Sequence, residues 1–428
     1  MTPLRFCMVT TFYPPFNFGG DGIGVQRLSR ALARAGHQVT VVHDVDAYQA
    51  LSDRRPDDES EADGVEVVSL RRRLGIVSPL LTQQTGRPLM NRRRIRRLFA
   101  ERQFDVINFH NVSLVGGPGI LSEGDAVKVY TAHEHWLVCP THVLWRHNRE
   151  LCTGRQCLRC SLHYRRPPQL WRHTGYLERQ LSHMDAIIAK SRFSRDKHRE
   201  FGLSHEMEVM PYFLPERATS DAPPGGPSPH SRPFFLFVGR LESIKGLQDV
   251  IPAFEGYRDA DLLIAGDGEF SDELRAMAEG IDGVHFLGRV APGDLRRYYE
   301  HALALIVPSI CYETFGIILI EAFREGTPVV ARRIGPFPEI LEKCPAGALF
   351  SNQEELLAAL RRLQTDADAR NALGRVAREG FEKHWSEGAV LPQYLDIVRR
   401  AAERAKKHGV AAALTTEPEL RLSREHIS

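Results

Sequence analysis

Repeated alternation of strand-like and helix-like segments is the feature that most constrains this chain. Short β-branched or apolar runs recur in the first half: "RFCMVTT", "HQVTVVH", "VEVVSL", "FDVINFH", "AVKVYTA", "DAIIAKS" and "MEVMPY". Between several of them lie helical patterns. The clearest is "GVQRLSRALARAGH", where Leu28, Ala31, Leu32 and Ala35 fall at helical spacing and Gly36 supplies a stop. Buried strands alternating with amphipathic helices specify a parallel sheet with helices on its faces. The pattern restarts with "PFFLFVGR", "ADLLIAGDG", "GVHFLGR", "LALIVPS" and "TPVVARR", interleaved with "FSDELRAMAEG" and "SNQEELLAALRRLQ". Between the two series, 217–233, "RATSDAPPGGPSPHSRP", has the Pro, Gly and Ser content of an exposed linker.

The reading is therefore α/β, with two Rossmann-like doubly wound domains: 1–216, the linker 217–233, and 234–410. The remaining 411–428 lacks a core pattern and is expected to be a mobile tail. A chain of 428 residues is long enough for two ordinary cores. Two such sheets create a cleft at the carboxyl ends of their strands, so functional residues are expected at strand ends.

No apolar run approaches the roughly 18 residues of a membrane-spanning helix. The start "MTPLRFCMVTTFYPPF" lacks the basic, apolar and small-residue regions of a secretory signal. The expectation is a cytoplasmic protein, where structural disulfides are rare. Net charge is +2, yet 1–216 holds 30 Lys+Arg against 23 Asp+Glu. The excess sits in "RRR" (71–73) and "NRRRIRR" (91–97). These arginines read either as a solvated helix face or as an attraction for a phosphorylated acceptor or for anionic lipid, which would place the protein peripherally at the inner membrane face. No nucleic-acid partner is expected.

"PSICYETFGIILIEAF" carries the most specific chemistry. A strand ends at Pro308-Ser309, a loop presents Glu313, and Phe315, Gly316 and Ile317 open a helix with Glu321 about one turn in. Backbone N–H groups at a helix start, with the positive dipole end, favour an anion such as a diphosphate. Glu313 and Glu321 are acceptors suited to sugar and ribose hydroxyls. Upstream, "FVGRLESIKG" places Arg240 and Lys245 after another strand, where two cations can neutralise a departing nucleotide diphosphate.

In order and spacing, "VGRLESIKG", "LLIAGDGE", "VHFLGRV", "PSICYETFGIILIEAFREGTPVVA" and "GPFPEIL" resemble the second domain of the retaining glycosyltransferases of family 4, which share the GT-B fold. "FYPPFNFGGDGIGVQRLSRALARAGHQVTVV" resembles the family's opening, and the likeness runs over about 4–400. It implies transfer of a sugar, of hexosyl type, from a nucleotide-diphosphate donor of UDP or GDP type to a saccharide or lipid-linked acceptor, with retention at the anomeric carbon. It gives Arg240 and Lys245 the diphosphate, Glu313 the donor sugar, Glu321 the ribose, and the backbone of Phe315, Gly316 and Ile317 the cradle. No catalytic metal is implied.

In the first domain, the glycines of "NFGGDGIG" (Gly19, Gly20, Gly22) let backbone approach the donor's phosphate or sugar. The family's double glycine is followed directly by an apolar residue, whereas here Asp21 intervenes. "YTAHEHW" ends a strand with His133, Glu134 and His135, and the resemblance makes His133 the histidine that hydrogen-bonds the transferred sugar.

Four of the seven cysteines crowd into an insertion of about 137–170: Cys139, Cys152, Cys157 and Cys160. In a reducing compartment this suits a structural zinc site, with His142, His147 and His163 as alternative ligands; an iron-sulfur cluster is a second reading of C-x4-C-x2-C. Three rival functions are open. An NAD-dependent oxidoreductase would use "GDGIG" and Asp44, although Arg27 occupies the third glycine's place. A UDP-sugar epimerase or a phosphorylase would share the two-domain fold. A binding protein would keep the donor pocket without turnover.

Overall fold

A computed structural model describes residues 2–52, 56, 64–72, 75–215 and 226–415. The chain divides into two compact units, Met1–Pro215 with Val390–Ser428, and Glu216–Ala389.

In the first unit, nine strands form: β1 (Arg5–Val9), β2 (Gln38–Asp44), β3 (Val65–Leu70), β4 (Val106–Phe109), β5 (Val127–Ala132), β6 (Trp145–Arg146), β7 (Glu150–Leu151), β8 (Ala186–Ala189) and β9 (Glu208–Val209). Seven of them make a sheet in the order β3-β2-β1-β4-β5-β8-β9, and β6 pairs with β7 as a separate antiparallel hairpin. Every pairing in the large sheet is parallel. Strands such as "VINF" and "VKVYTA" are buried throughout, which a two-sided sheet requires. The order reverses direction between β1 and β4, so the loops after these two strands diverge and leave room for a ligand.

The second unit repeats the design with β10 (Phe234–Val238), β11 (Asp261–Ala265), β12 (Val284–Gly288), β13 (Leu305–Val307), β14 (Val329–Arg332) and β15 (Gly347–Phe350), in the order β12-β11-β10-β13-β14-β15. All its pairings are parallel, and its switch point lies between β10 and β13. Phe235, Phe237, Leu262, Ile264 and Ile306 pack one face of this sheet into a continuous apolar core.

Two boundaries differ from the sequence reading. The second domain does not run to residue 410: from Val390 onward the chain belongs with the first unit. Helix Glu387–Arg404 buries Tyr394, Ile397, Val398 and Ala401 at helical spacing, and Asn108 Nδ2 on β4 donates to the Tyr394 hydroxyl at 3.0 Å. Apolar spacing marks such a helix as amphipathic without saying which sheet it covers. Nor is 411–415 a tail, since helix His408–Leu414 buries Ala411 and Leu414; the rest of that stretch, 416–428, lies outside the described residues, as do 217–225 of the linker and Arg73. The linker's last part is attached to the second unit: Arg297 Nη2 donates to the Pro227 carbonyl at 2.8 Å, and His301 Nε2 lies 2.8 Å from the Gly226 carbonyl. Among the described residues no helix is long and apolar enough to cross a membrane.

Candidate active site

The second unit gathers its predicted residues at the carboxyl ends of β10 and β13, the two strands flanking its switch point. After β10 the chain passes through Arg240 into a 3-10 turn, Ser243–Lys245. After β13 it passes through Ser309 and Glu313 to the helix Ile317–Glu325. Lys245 Nζ donates to Glu313 Oε1 at 2.6 Å, and the Ser309 hydroxyl donates to the same oxygen at 3.1 Å. Burial by itself pushes the Glu313 carboxyl up, but the Lys245 charge and hydrogen bond, Ser309 and Arg240 outweigh it and hold it below the usual range. The Lys245 ammonium shows the counterpart: burial lowers it, but the Glu313 charge and hydrogen bond, together with Cys311 and Glu242, outweigh that, so it sits above its ordinary value. Both groups are ionised at neutral pH.

Gly316 caps the helix with φ 110°, a left-handed conformation that favours glycine, and a Cβ there would lie 2.8 Å from the Phe337 ring. Phe315 is buried beneath the turn, and Ile317 begins the helix. The first turn of any helix presents N–H groups with no intrahelical acceptor, which is where an anion is held. Glu321 lies on the next turn and accepts a hydrogen bond from the Tyr299 hydroxyl at 3.2 Å. Arg240 is more exposed and pairs with Glu242 at 2.8 Å. Arg240, Lys245, Glu313, Phe315, Gly316, Ile317 and Glu321 thus share one edge of one unit.

The first unit has a second cluster, also at strand ends. His133, the residue after β5, is buried, with Nε2 2.9 Å from His110 Nδ1 and Nδ1 2.5 Å from the Tyr212 hydroxyl. Burial, followed by His110 and Lys190, holds the His133 imidazole well below its ordinary pKa, and burial together with Lys190 takes His110 to about 3. Both rings are neutral at pH 7. Their protons can be placed, because His110 Nε2 faces the Met8 sulfur at 3.5 Å and sulfur only accepts there. His110 therefore donates from Nε2 and accepts at Nδ1, His133 donates from Nε2, and Tyr212 donates to His133 Nδ1. A sugar hydroxyl meeting the His133 ring has to replace one of these partners.

Beside the pair, Asn111 Nδ2 donates to Glu134 Oε1 at 2.5 Å and to Asp21 Oδ2 at 3.3 Å. His142 Nδ1 lies 2.5 Å from the other Glu134 oxygen. Burial, then the Glu134 charge, raises the Asp21 carboxyl. Helix Gly20–Arg34 begins at Gly20 with Gly19 as its cap, so the predicted glycines form its first turn rather than a loop before it. A Cβ on Gly22 would come within 2.4 Å of Asn17 Oδ1, so close packing against that loop demands glycine there. His135 is buried and stacks on His198 of helix Arg192–Glu200, with centroids 5.3 Å apart.

Lys190, His110, Asn111 and Tyr212 were not anticipated from the sequence. A signal for three of them existed: Lys190 follows β8 immediately, and His110 and Asn111 follow β4.

The four cysteines line one small pocket together with Val138 and Trp145, and none forms a disulfide. Among the described residues, the group of three or more His, Cys, Asp or Glu ligand atoms mutually within 4.8 Å is His230, Asp261 and His285, in the second unit.

Asp44, the acid a dinucleotide site would need, is engaged in structure. Its Oδ1 accepts from Ala47 N at 3.1 Å as the cap of helix Val45–Gln49, and its Oδ2 accepts from Asn91 Nδ2 at 3.3 Å.

Comparison with known proteins agrees with this geometry. Residues 18–214 match the model of Glycosyltransferase Family 4, and 220–380 match Glycosyl transferases group 1, together well over half of the chain. A glycogen synthase of Mycobacterium tuberculosis is 26% identical over 433 residues, covering 94% of this chain and 96% of its own. A sulfoquinovosyl transferase of Arabidopsis thaliana is 30% identical over 158 residues, 36% of this chain; the chain spans only 31% of that relative's length. Among solved structures, a sucrose-phosphate synthase from Thermosynechococcus elongatus superposes with a TM-score of 0.69 at 19% identity, covering 93% of this chain and 98% of its own. With two parallel doubly wound sheets, a glycine-capped helix start at the second switch point and both domain models matched in order, the chain belongs to the GT-B glycosyltransferases of the family 4 and group 1 type.

Proposed function

We propose that this glycosyltransferase moves a hexosyl-type sugar from a UDP or GDP sugar to a saccharide or lipid-linked acceptor, with retention at the anomeric carbon. The observation that carries the reading is the Lys245–Glu313 pair set before the helix start at Gly316. The helix N-terminus and the cations of Arg240 and Lys245 suit the diphosphate, and the Glu321 carboxylate suits the ribose diol.

Glu313 Oε1 already accepts two hydrogen bonds, which supports a carboxylate that orients the sugar rather than one that attacks it. In the proposed step, the bond from the anomeric carbon to the leaving phosphate oxygen breaks. The acceptor oxygen bonds to that carbon on the same face, and the acceptor's proton passes to the leaving phosphate. Charge develops on the departing diphosphate, so the largest contribution of the protein is electrostatic, from Lys245 and Arg240. No catalytic metal enters this step. His133 keeps the role given by the resemblance.

An NAD-dependent oxidoreductase is disfavoured because both Asp44 oxygens are occupied by Ala47 and Asn91. One relative is named for transferring a sulfoquinovosyl group and another for making glycogen, so their names do not converge on one sugar. We further propose a cytoplasmic enzyme in peripheral contact with anionic membrane, and a structural metal, zinc before an iron-sulfur cluster, in the four-cysteine pocket.

A thermal-shift titration with UDP, GDP, ADP and NAD is the test, because a ligand that binds only the native state raises its melting temperature. A shift with one nucleoside diphosphate, and release of that nucleotide from its sugar only when acceptor is glycosylated, supports the transferase. A shift with NAD alone overturns it.

A further inference from the structure

The second unit carries a constellation at the opposite end of its sheet from the donor site. Arg240 and Lys245 follow the carboxyl end of β10; His230 precedes its amino end, a strand length of about 16 Å away. In the parallel register Phe234 pairs with Asp261, and Leu263 with His285. Asp261 and Leu263 are two residues apart on one strand, so their side chains lie on the same face, and register carries His285 to that face on the neighbouring strand. His230 arrives from the segment before β10, its ring set edge-on to Phe234 with centroids 6.0 Å apart.

The result is that two imidazoles aim the same nitrogen at one oxygen. His230 Nε2 lies 2.6 Å and His285 Nε2 3.3 Å from Asp261 Oδ2, and all three ligand atoms lie within 4.8 Å of one another. The carboxylate is almost wholly buried, at 2% side-chain exposure, while its other oxygen is 2.9 Å from Arg232 Nη1. A ligating carboxylate is typically fixed in this way, one oxygen for the metal and the other held by an outer partner. His285 is 41% exposed, which leaves a side open for water to complete the shell.

We infer that His230, Asp261 and His285 form a binding site for a divalent transition metal such as Zn²⁺. Tetrahedral coordination at about 2.0–2.1 Å places ligand atoms about 3.3 Å apart. The Asp261–His285 edge already has that length, and the Asp261–His230 edge has to open by about 0.7 Å, a small side-chain rotation. Imidazole and carboxylate ligands suit zinc, and the two neutral nitrogens with one anionic oxygen leave the bound ion a net positive charge. The ion would fasten 226–233 to the first residues of β11 and β12, away from the donor nucleotide. Its role is structural.

The test is titration of the full-length, chelator-treated protein with Co²⁺, followed by absorption and by calorimetry. One equivalent should bind with the visible bands of nitrogen and oxygen coordination and without sulfur-to-cobalt charge transfer, which separates this site from the cysteines. His285→Ala, at a half-exposed position that should tolerate the change, and His230→Ala should each weaken that equivalent about tenfold or more. UDP, GDP or ADP affinity should stay unchanged in both. Co²⁺ affinity equal to the parent protein in both variants, or a spectrum wholly of thiolate character, overturns the site. Neither of these outcomes touches the glycosyltransferase reading, which stands on nucleotide binding.

Discussion

The ammonium of Lys245 and the carboxylate of Glu313 come from loops 68 positions apart in sequence and meet at 2.6 Å, each opposing the shift that burial imposes on the other. Such a pair is preorganised for a substrate that brings negative phosphate and polar hydroxyls together. Lys245→Ala removes the cation proposed to meet the leaving diphosphate, and kcat should fall by about 10²-fold or more. Melting temperature should move by only a few degrees, since the pair is partly exposed. A normal kcat in a folded Lys245→Ala protein would remove the leaving-group role. Glu313→Gln is the companion: it keeps the shape, loses the charge and should lower kcat as well.

Glu321 sits one turn along the helix from that site, with the Tyr299 hydroxyl donating to it at 3.2 Å. A charged acceptor of a ribose hydroxyl is worth about 1.5–3 kcal/mol, so Glu321→Ala should weaken nucleoside diphosphate binding by about tenfold or more. Tyr299→Phe should have a smaller effect, because it only steadies the acceptor. Unchanged calorimetric affinity in Glu321→Ala would move the ribose elsewhere.

The strand runs of the sheets were legible because parallel strands buried on both faces read as unbroken apolar segments, and twelve quoted runs each contain one strand. β15, "GALF", was missed: it is short, begins with glycine and buries fully only its last residue. The second-unit residues were legible for a different reason, since strand, loop and helix start follow one another within a single stretch from Leu305 to Glu321. In the first unit His133 was legible, but His110, Asn111, Lys190 and Tyr212 were not, because they follow other strands and meet it only once the sheet order is known. The destination of the C-terminal helix was hidden likewise, as Tyr394 finds its partner Asn108 across 286 residues.

Lys190 gives a pH signature. Its ammonium lies 4.7 Å from the Tyr212 ring centre, and burial lowers its pKa to about 7. The unfolded chain holds this proton up to about pH 10.4, so between about 7 and 10.4 the unfolded state binds more protons, and stability rises with pH across that window. Below about 7 both states are protonated and the destabilisation from the buried charge is fully present. Lys190→Met should therefore melt higher than the parent at pH 7, by roughly 5 °C or more. The difference should shrink steadily toward pH 10. A difference that is flat over this range contradicts the burial of a titrating ammonium.

The proposed membrane contact rests on a surface that is apolar and basic by turns. Ile76, Leu80 and Leu89 are exposed on and around helix Val77–Thr85, and Arg93 and Arg94 are exposed on helix Arg92–Arg102. Part of the basic run is already neutralised, since Arg92 and Arg96 pair with Glu123 at 3.0 and 2.5 Å. What remains should bring the protein down with phosphatidylglycerol vesicles and not with neutral ones, each arginine contributing about 1 kcal/mol near the surface. Leu80→Glu with Arg94→Glu should abolish cosedimentation while nucleotide binding persists. Equal recovery with neutral vesicles would refute an electrostatic contact.

The cysteine insertion poses the last question, because its backbone takes a form that few side chains favour. His142, Leu144, His147 and Asn148 all have positive φ, at 76°, 50°, 52° and 56°. Asn and His tolerate this conformation better than most side chains, but at Leu144 it costs about 1 kcal/mol or more, which the surrounding structure has to offset. The four thiols surround one pocket in the middle of it, and the His147 backbone N–H donates to Cys160 Sγ at 3.4 Å. A bound ion that draws the sulfurs together, at about 2.3 Å for zinc and thiolate, would add to the hairpin and to the Cys152 N–H to Leu144 O hydrogen bond that hold the segment. The protein as purified should then contain one metal equivalent that Cys157→Ser with Cys160→Ser releases, with a fall in melting temperature. The double variant should leave the His230, His285 and Asp261 equivalent in place, so cobalt added back should show nitrogen and oxygen bands alone. Iron with visible charge-transfer absorption in place of zinc would identify a cluster, and full metal retention in the double variant would move the ion elsewhere.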